Sequence, residues 1–198
     1  MRGFRYLLRQ LLWRSVFACT GGLTVQGRPP EGGYVLVANH SSHADAPALL
    51  AALPARSRPV VAAAADYWFA GRMRAWFAGT VVGAFGISRE RGGCGQLLET
   101  VPLLRAGGAV VLFPEGTRTR DGSLGDFRSG AARLAAAAGV PLVPVAMHGT
   151  REMLPVHGVF RRRPVTVRIG APVTDLAEAR AVLTRALAEP APYRAPAG

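Results

Sequence analysis

Residues 39–45 of this chain read Asn-His-Ser-Ser-His-Ala-Asp and follow directly on the apolar run Tyr34–Ala38. A turn that leaves a strand and enters a helix is where α/β folds present reactive groups. An imidazole there can serve as a general base, and a nearby carboxylate can orient it, which makes His40 and Asp45 the candidate catalytic pair. Their spacing restricts how they can meet. Five residues along one helix turn by about 140°, so the side chains would diverge. They converge only if His40 lies in the loop and Asp45 in the first helical turn, with Ser41 or Ser42 as N-cap enforcing that arrangement. A plainer role is also open, because Ser42-x-x-Asp45 is a variant capping box in which Asp45 only satisfies backbone donors.

A second group of chemically able residues, Phe113-Pro114-Glu115-Gly116-Thr117-Arg118-Thr119-Arg120, also follows an apolar run. It supplies a glycine-bearing turn, hydroxyls and two guanidiniums. The planar fork of arginine suits bidentate phosphate binding, and Gly116 permits close backbone approach. Alone, the stretch also reads as a charged surface turn. Arg89, at the end of Gly83–Arg89 (GAFGISR), adds another guanidinium after an apolar run.

Together these residues resemble the lysophosphatidate (glycerolipid) acyltransferase family. Its Asn-His-x4-Asp block is matched by Asn39, His40 and Asp45, and its second block, an apolar run ending in arginine, by Gly83–Arg89. Its third block is matched residue for residue by Phe113–Arg118, and its fourth by Val140–Val145 (VPLVPV). Phe127–Gly130 and Gly149-Thr150 resemble weaker family positions. Four blocks in the family's order, spanning about residues 34–170, are far more specific than any one of them. The resemblance implies His40 as base and Asp45 as its partner, with Arg89, Glu115, Gly116, Thr117 and Arg118 at the phosphate and glycerol site. It implies acyl transfer from acyl-CoA or acyl-carrier protein to the hydroxyl of 1-acylglycerol 3-phosphate, giving phosphatidate, or to another lysolipid or hydroxyl acceptor. No cofactor beyond the thioester co-substrate is expected, and no metal.

The chemistry is coherent on these residues. A hydroxyl is a poor nucleophile until a neutral imidazole takes its proton, and Asp45 fixes the tautomer and stabilises the imidazolium that forms. A thiol leaving group, with a pKa of about 8.5, departs without strong acid help, so one base suffices.

The elements that must position these groups follow from hydropathy. Expected strands are Tyr34–Ala38, Pro59–Ala63, Ala109–Phe113, Pro141–Met147 and Val165–Ile169; expected helices are Ala44–Leu53, Gly95–Ala106, Gly130–Ala138 and Leu176–Ala188. Pro144 argues for an edge, a bulge or a short strand. Alternation of short apolar runs with longer helical patterns predicts a single α/β domain, a twisted mixed sheet flanked by helices. The acyltransferase domain is assigned to 25–189, an N-terminal membrane-associating segment to 1–24 and a flexible tail to 190–198. In residues 2–17 (RGFRYLLRQLLWRSVF), Phe4, Leu7, Leu8 and Leu11 share one helical face and Arg2, Arg5 and Arg9 the other, the pattern of an amphipathic membrane-surface helix, with a helix packed on the domain and its arginine face in water as the plainer reading. No uncharged apolar run reaches the roughly 20 residues a spanning helix needs. Peripheral or monotopic attachment to the cytoplasmic face of the membrane is therefore expected. Tyr67–Ile87, with two tryptophans and Arg72 and Arg74, reads equally well as core or as a second membrane-facing surface.

The chain has 24 Lys plus Arg, all of them arginine, against 12 acidic residues, a net charge of +12. That sign attracts lipid phosphates and nucleic acid alike. No nucleic-acid-binding motif appears, and Arg161-Arg162-Arg163 reads as a solvated face, so the expected partners are the membrane lipid surface, a lysophospholipid acceptor and an acyl thioester donor. A metallohydrolase built on His40, His43 and Asp45 lacks further ligands at a familiar spacing. A serine hydrolase lacks its Gly-x-Ser-x-Gly elbow. Cys19 and Cys94 have no ligand or disulfide pattern.

Overall fold

The computed structural model of the 198-residue chain describes residues 2–68, 71–88, 93–119 and 123–190. Arg89, Arg120 and all of the expected tail beyond Pro190 lie outside them. In chain order the elements are α1 (Arg2–Thr20), β1 (Leu23–Gln26), β2 (Tyr34–Ala38), α2 (Asp45–Ala52), β3 (Val60–Ala64), α3 (Ala65–Trp68) and α4 (Arg72–Phe77). A π-helical turn (Ala78–Val82) continues α4 into β4 (Ala84–Ile87). Then come α5 (Gly93–Leu98), α6 (Val101–Arg105), β5 (Ala109–Leu112), α7 (Gly130–Ala138), β6 (Leu142–His148), α8 (Thr150–Met153), β7 (Val165–Ile169) and α9 (Leu176–Ala188).

Among the described residues seven strands form one sheet in the order β1-β7-β6-β2-β5-β3-β4. Every neighbouring pair is parallel except β6 with β7, so the sheet is mixed, as expected. Strand β2 lies at its centre with all five residues buried, which is why its sequence is an unbroken apolar run. Alternate residues serve opposite faces. Tyr34, Leu36 and Ala38 pack with Phe17 of α1 and Leu49, Leu50 and Leu53 around α2. Val35 and Val37 pack with Leu104, Leu134 and Leu183 of α6, α7 and α9.

Three expectations are narrowed or changed. Pro144 sits in β6, an interior strand between β2 and β7. Its carbonyl accepts from Gly170 N–H on the β7 side, so its donorless nitrogen faces the same way, just before antiparallel pairing begins at Val145 with Ile169. That nitrogen cannot return a bond to Gly170, and the antiparallel pairing slips by one residue there, from Leu142 opposite Val173 to Val145 opposite Ile169, so proline is tolerated away from an edge at a bulge. The expected helix over 95–106 is two short helices, because Pro102 has no N–H for the next helical bond and disfavours helical backbone before it. Finally, Arg9 does not lie on a water-facing side of α1. Its guanidinium stacks over Tyr6 and bonds the Pro59 carbonyl, and burial lowers its pKa to about 10. Tyr6 and Phe17 are buried, Trp13 donates to Val81 O, and Gln10 donates to Leu53 O. Phe4, Leu7, Leu8, Leu11 and Leu12 face outward.

Strand β2 leads to β3 on one side of itself, while β5 leads through α7 to β6 on the other. A crevice at the carboxyl ends of such diverging strands is the usual ligand position in open α/β sheets.

Candidate active site

Asn39 ends β2 by replacing backbone pairing with its side chain. Its carboxamide donates to Met147 O (3.1 Å) and accepts from Met147 N–H (2.8 Å), extending the register with β6 by one residue while the main chain turns away. His40 therefore leaves the sheet at a fixed place. Its N–H donates to Glu115 Oε1 (2.9 Å), and its carbonyl accepts from Thr119 N–H (2.9 Å). The ring stacks on Phe113 with centroids 4.0 Å apart and planes 14° from parallel.

His40 Nδ1 lies 2.8 Å from Asp45 Oδ2. A carboxylate only accepts, so Nδ1 carries the hydrogen and the lone pair is left on Nε2. The pairing needs His40 in the loop and Asp45 at the first position of α2, the arrangement the spacing required. The serines enforce it differently from expectation. The N-cap is Ala44, without a side-chain bond. Asp45 itself reaches back, its Oδ2 accepting from Ser41 N–H (2.7 Å) and Ser42 N–H (2.8 Å) as well as from the ring. Ser42 Oγ is occupied elsewhere, accepting from Ala44 N–H and donating to Leu154 O. The capping role and the imidazole-orienting role thus share one oxygen. Asp45 is fully buried, and its Oδ1 has no hydrogen-bond partner among the described residues.

The turn after β5 brings Gly116, Thr117 and Arg118 to the same place. Together with His40 and His43 they line a cavity of about 420 Å³ whose opposite wall is apolar, formed by Val61, Ala62, Ala78, Val82, Ala84 and Ile87. Gly116 has φ +72°, a left-handed conformation that other side chains adopt only with strain, so the position favours glycine. Of the Tyr67–Ile87 segment, the π-helical turn and β4 supply cavity wall, whereas Met73, Trp76 and Phe77 of α4 are exposed. Ile87 and Ser88 line the cavity just before Arg89, which itself lies outside the described residues.

Glu115 departs from the substrate-site expectation. Its carboxylate is buried and does not line the cavity; Oε1 accepts from His40 N–H and Oε2 from Gly125 N–H, each at 2.9 Å. Burial raises its pKa, and the two N–H bonds oppose that shift. The residue clamps the His40 turn to the turn after β5. Glu115→Gln keeps only one acceptor oxygen, leaving one buried donor unanswered. The substitution is expected to cost about 1–3 kcal/mol in chemical denaturation and to lower kcat with little change in acceptor KM. Should acceptor KM rise while kcat and stability hold, the carboxylate binds substrate instead.

Three basic residues of the cavity, His43, Arg128 and Arg133, were not assigned a site role from sequence. Arg118 Nη1 lies 2.7 Å from both ring nitrogens of His43. Burial, and then the adjacent Arg118 charge, lower the His43 pKa, which favours the neutral ring beside a guanidinium. The contact joins residues 75 positions apart, so no local pattern announces it. Arg128 and Arg133 also line the cavity; the first lies in a stretch noted for its resemblance, the second belongs to no motif. His148 lies apart, bonded to Ala186 O, its pKa lowered by burial. Among the described residues no three His, Cys, Asp or Glu side chains group as metal ligands.

The family model described as Acyltransferase matches residues 22–148. A chloroplastic 1-acyl-sn-glycerol-3-phosphate acyltransferase of Brassica napus is 40% identical over 79 residues, 39% of this chain and 23% of that one. The human 1-acyl-sn-glycerol-3-phosphate acyltransferase alpha is 35% identical over 129 residues, 63% of this chain and 44% of that one. The mouse counterpart is 32% identical over 154 residues, covering 74% and 52%. The chain thus spans about half or less of the length of these curated relatives. The crystal structure of PlsC, a 1-acyl-sn-glycerophosphate acyltransferase from Thermotoga maritima, has the same fold, with a TM-score of 0.77 and 22% identity over 94% of this chain and 79% of that one.

Proposed function

Given that the chain belongs to the acyltransferase family, we propose that it transfers a fatty acyl group from a thioester, acyl-CoA or acyl-carrier protein, to the free hydroxyl of 1-acylglycerol 3-phosphate, forming phosphatidate. The observation that carries this reading is one cavity lined together by His40, backed by Asp45, by Gly116–Arg118 and by an apolar wall. The curated relatives named for this reaction support the choice of acceptor.

His40 Nε2 takes the hydroxyl proton as the oxygen attacks the thioester carbonyl. The new C–O bond gives a tetrahedral intermediate, which collapses by breaking C–S, and the imidazolium returns the proton to the departing thiolate. Asp45 holds the ring in the tautomer with Nε2 free and stabilises the imidazolium. The N–H groups of Ser41 and Ser42 are committed to Asp45, so they are not donors to the intermediate's oxyanion. Arg118, with Thr117 and Gly116, binds the acceptor phosphate and so orients the hydroxyl. Arg89, one residue beyond the cavity-lining Ser88, belongs to the same proposed phosphate site.

The outward row of α1, Phe4 through Leu12, supports work at a membrane surface with α1 lying in the interface, and we propose the cytoplasmic face. Among the described residues no helix is long and apolar enough to cross a membrane.

The reading is tested with radiolabelled acyl-CoA, and in parallel acyl-carrier protein, against a panel of lysolipids. Label is expected in phosphatidate; label only in another diacyl lipid would move the acceptor elsewhere in the family. Arg118→Ala is expected to raise the acceptor KM roughly tenfold or more, the loss of a charge-assisted hydrogen bond, with a smaller change in kcat. An unchanged acceptor KM would remove Arg118 from the phosphate site.

A further inference from the structure

The connection between α8 and β7 carries exposed chemistry that the catalytic cavity does not use. Val159 is 71% exposed and Phe160 49%, and Arg161, Arg162 and Arg163 follow at once, all exposed. The loop is held at defined points. Arg161 N–H donates to Met153 O (2.8 Å) and Arg163 N–H to Thr20 O (3.1 Å). The Arg162 guanidinium bonds Cys19 O through Nη2 (2.6 Å) and Nε (3.2 Å), placing its charge at the negative end of the α1 dipole.

That seating has two consequences. It ties the loop that carries Val159 and Phe160 to the C-terminal end of α1, the helix that also exposes Leu8, Leu11, Leu12 and Val16. It also leaves Arg161 and Arg163 without a carboxylate partner among the described residues, next to an aliphatic and an aromatic side chain in water. The root of the loop reaches the catalytic turn directly: Pro155 forms a β-bridge with Ser42, and Ser42 Oγ donates to Leu154 O.

Apolar tips flanked by guanidiniums match the boundary between lipid headgroups and acyl chains, where rings enter the apolar layer and cations meet phosphates. A second copy of the chain fits less well, because a self-complementary contact would bring arginine loops of like charge together. Nucleic acid fits less well too, since a phosphate backbone offers nothing to the exposed Val159 and Phe160 side chains. We infer that Val159–Arg163 is a second membrane anchor beside α1: Val159 and Phe160 insert below the headgroups of an anionic lipid surface, and Arg161 and Arg163 pair with lipid phosphates. The inference rests on the membrane-surface reading given under the proposed function and adds a site to it. It also implies that the Ser42 side of the catalytic turn faces the lipid from which the acceptor comes.

The test is flotation of the full chain with phosphatidylcholine vesicles, with and without phosphatidylglycerol. The double substitution Val159→Ser/Phe160→Ser is expected to weaken binding about tenfold on both vesicle types. Arg161→Gln/Arg163→Gln is expected to weaken it about 10–30-fold on anionic vesicles and little on neutral ones. Both variants should keep the wild-type melting temperature and wild-type turnover on lysolipid dispersed in detergent. If the wild type itself does not float, the membrane-surface reading fails. If it floats and both variants float equally well, the loop inference alone is overturned. It is also overturned if either variant instead abolishes a lipid-free dimer in sedimentation, or if oligonucleotide displaces the wild type from vesicles. Should the apolar pair misfold, the arginine pair, whose changes lie wholly at the exposed surface, decides the matter.

Discussion

His40→Ala is expected to lower kcat by roughly 10³–10⁴-fold, toward the upper end of what a single positioned base supplies, while leaving the chain folded. The fold survives because the contacts that seat this residue are mainly backbone contacts. Its N–H to Glu115 and its carbonyl from Thr119 remain with any side chain. What disappears is the ring over Phe113, which lines the cavity, and with it the Nε2 lone pair. Binding of the acceptor should persist, since Gly116, Thr117 and Arg118 are untouched. The measurements are single-turnover rates with labelled thioester, acceptor affinity by titration, and thermal unfolding. Turnover within tenfold of the wild type in a folded variant would remove His40 from the chemistry.

Asp45→Asn is expected to be nearly as severe, roughly 10²–10⁴-fold in kcat, for a different reason. One oxygen of Asp45 receives His40 Nδ1 and two backbone N–H groups, and the other is buried without a hydrogen-bond partner among the described residues. If the amide oxygen of asparagine takes the shared position, its NH2 group is left buried with nothing to donate to. If the nitrogen takes it, two backbone donors and the ring face a donor. The first arrangement retains the turn but removes the charge that stabilises the imidazolium; the second disrupts the turn. Either also costs about 1–3 kcal/mol of stability through an unanswered buried donor. Because His40 and Asp45 act as a unit, the double variant should lose little more than His40→Ala alone. Losses that multiply would mean that Asp45 serves the fold and not the base.

The parts of this molecule legible from sequence are those whose physics is local. β2 and β5 are buried on both faces and read as continuous apolar runs, and each is followed by the turn that carries the candidate chemistry. The position of Asp45 could be reasoned from helical rotation alone. β1 and β4 were not legible, because each has four residues at a sheet edge and neither shows an unbroken buried run. The roles of Glu115 and His43 were not legible either. The clamp from Glu115 to His40 and the contact of His43 with Arg118 each join residues 75 positions apart. Sequence could name these residues as chemically able but not say what they would touch. For α1, hydropathy found the leucine row but not that Arg9 lies with Tyr6 on the domain side.

The parallel pairing of Leu23 with Val165 sets an order of assembly. The central strands can find one another as soon as β6 has been synthesised, whereas among the described strands β1 has no neighbour until β7 emerges. Through that interval the first strand presents an open backbone edge while the leucines ahead of it already form an apolar surface. A nascent chain in this condition exposes a strand edge and an apolar helix face together, and the edge is covered only when the last strand of the sheet has been made.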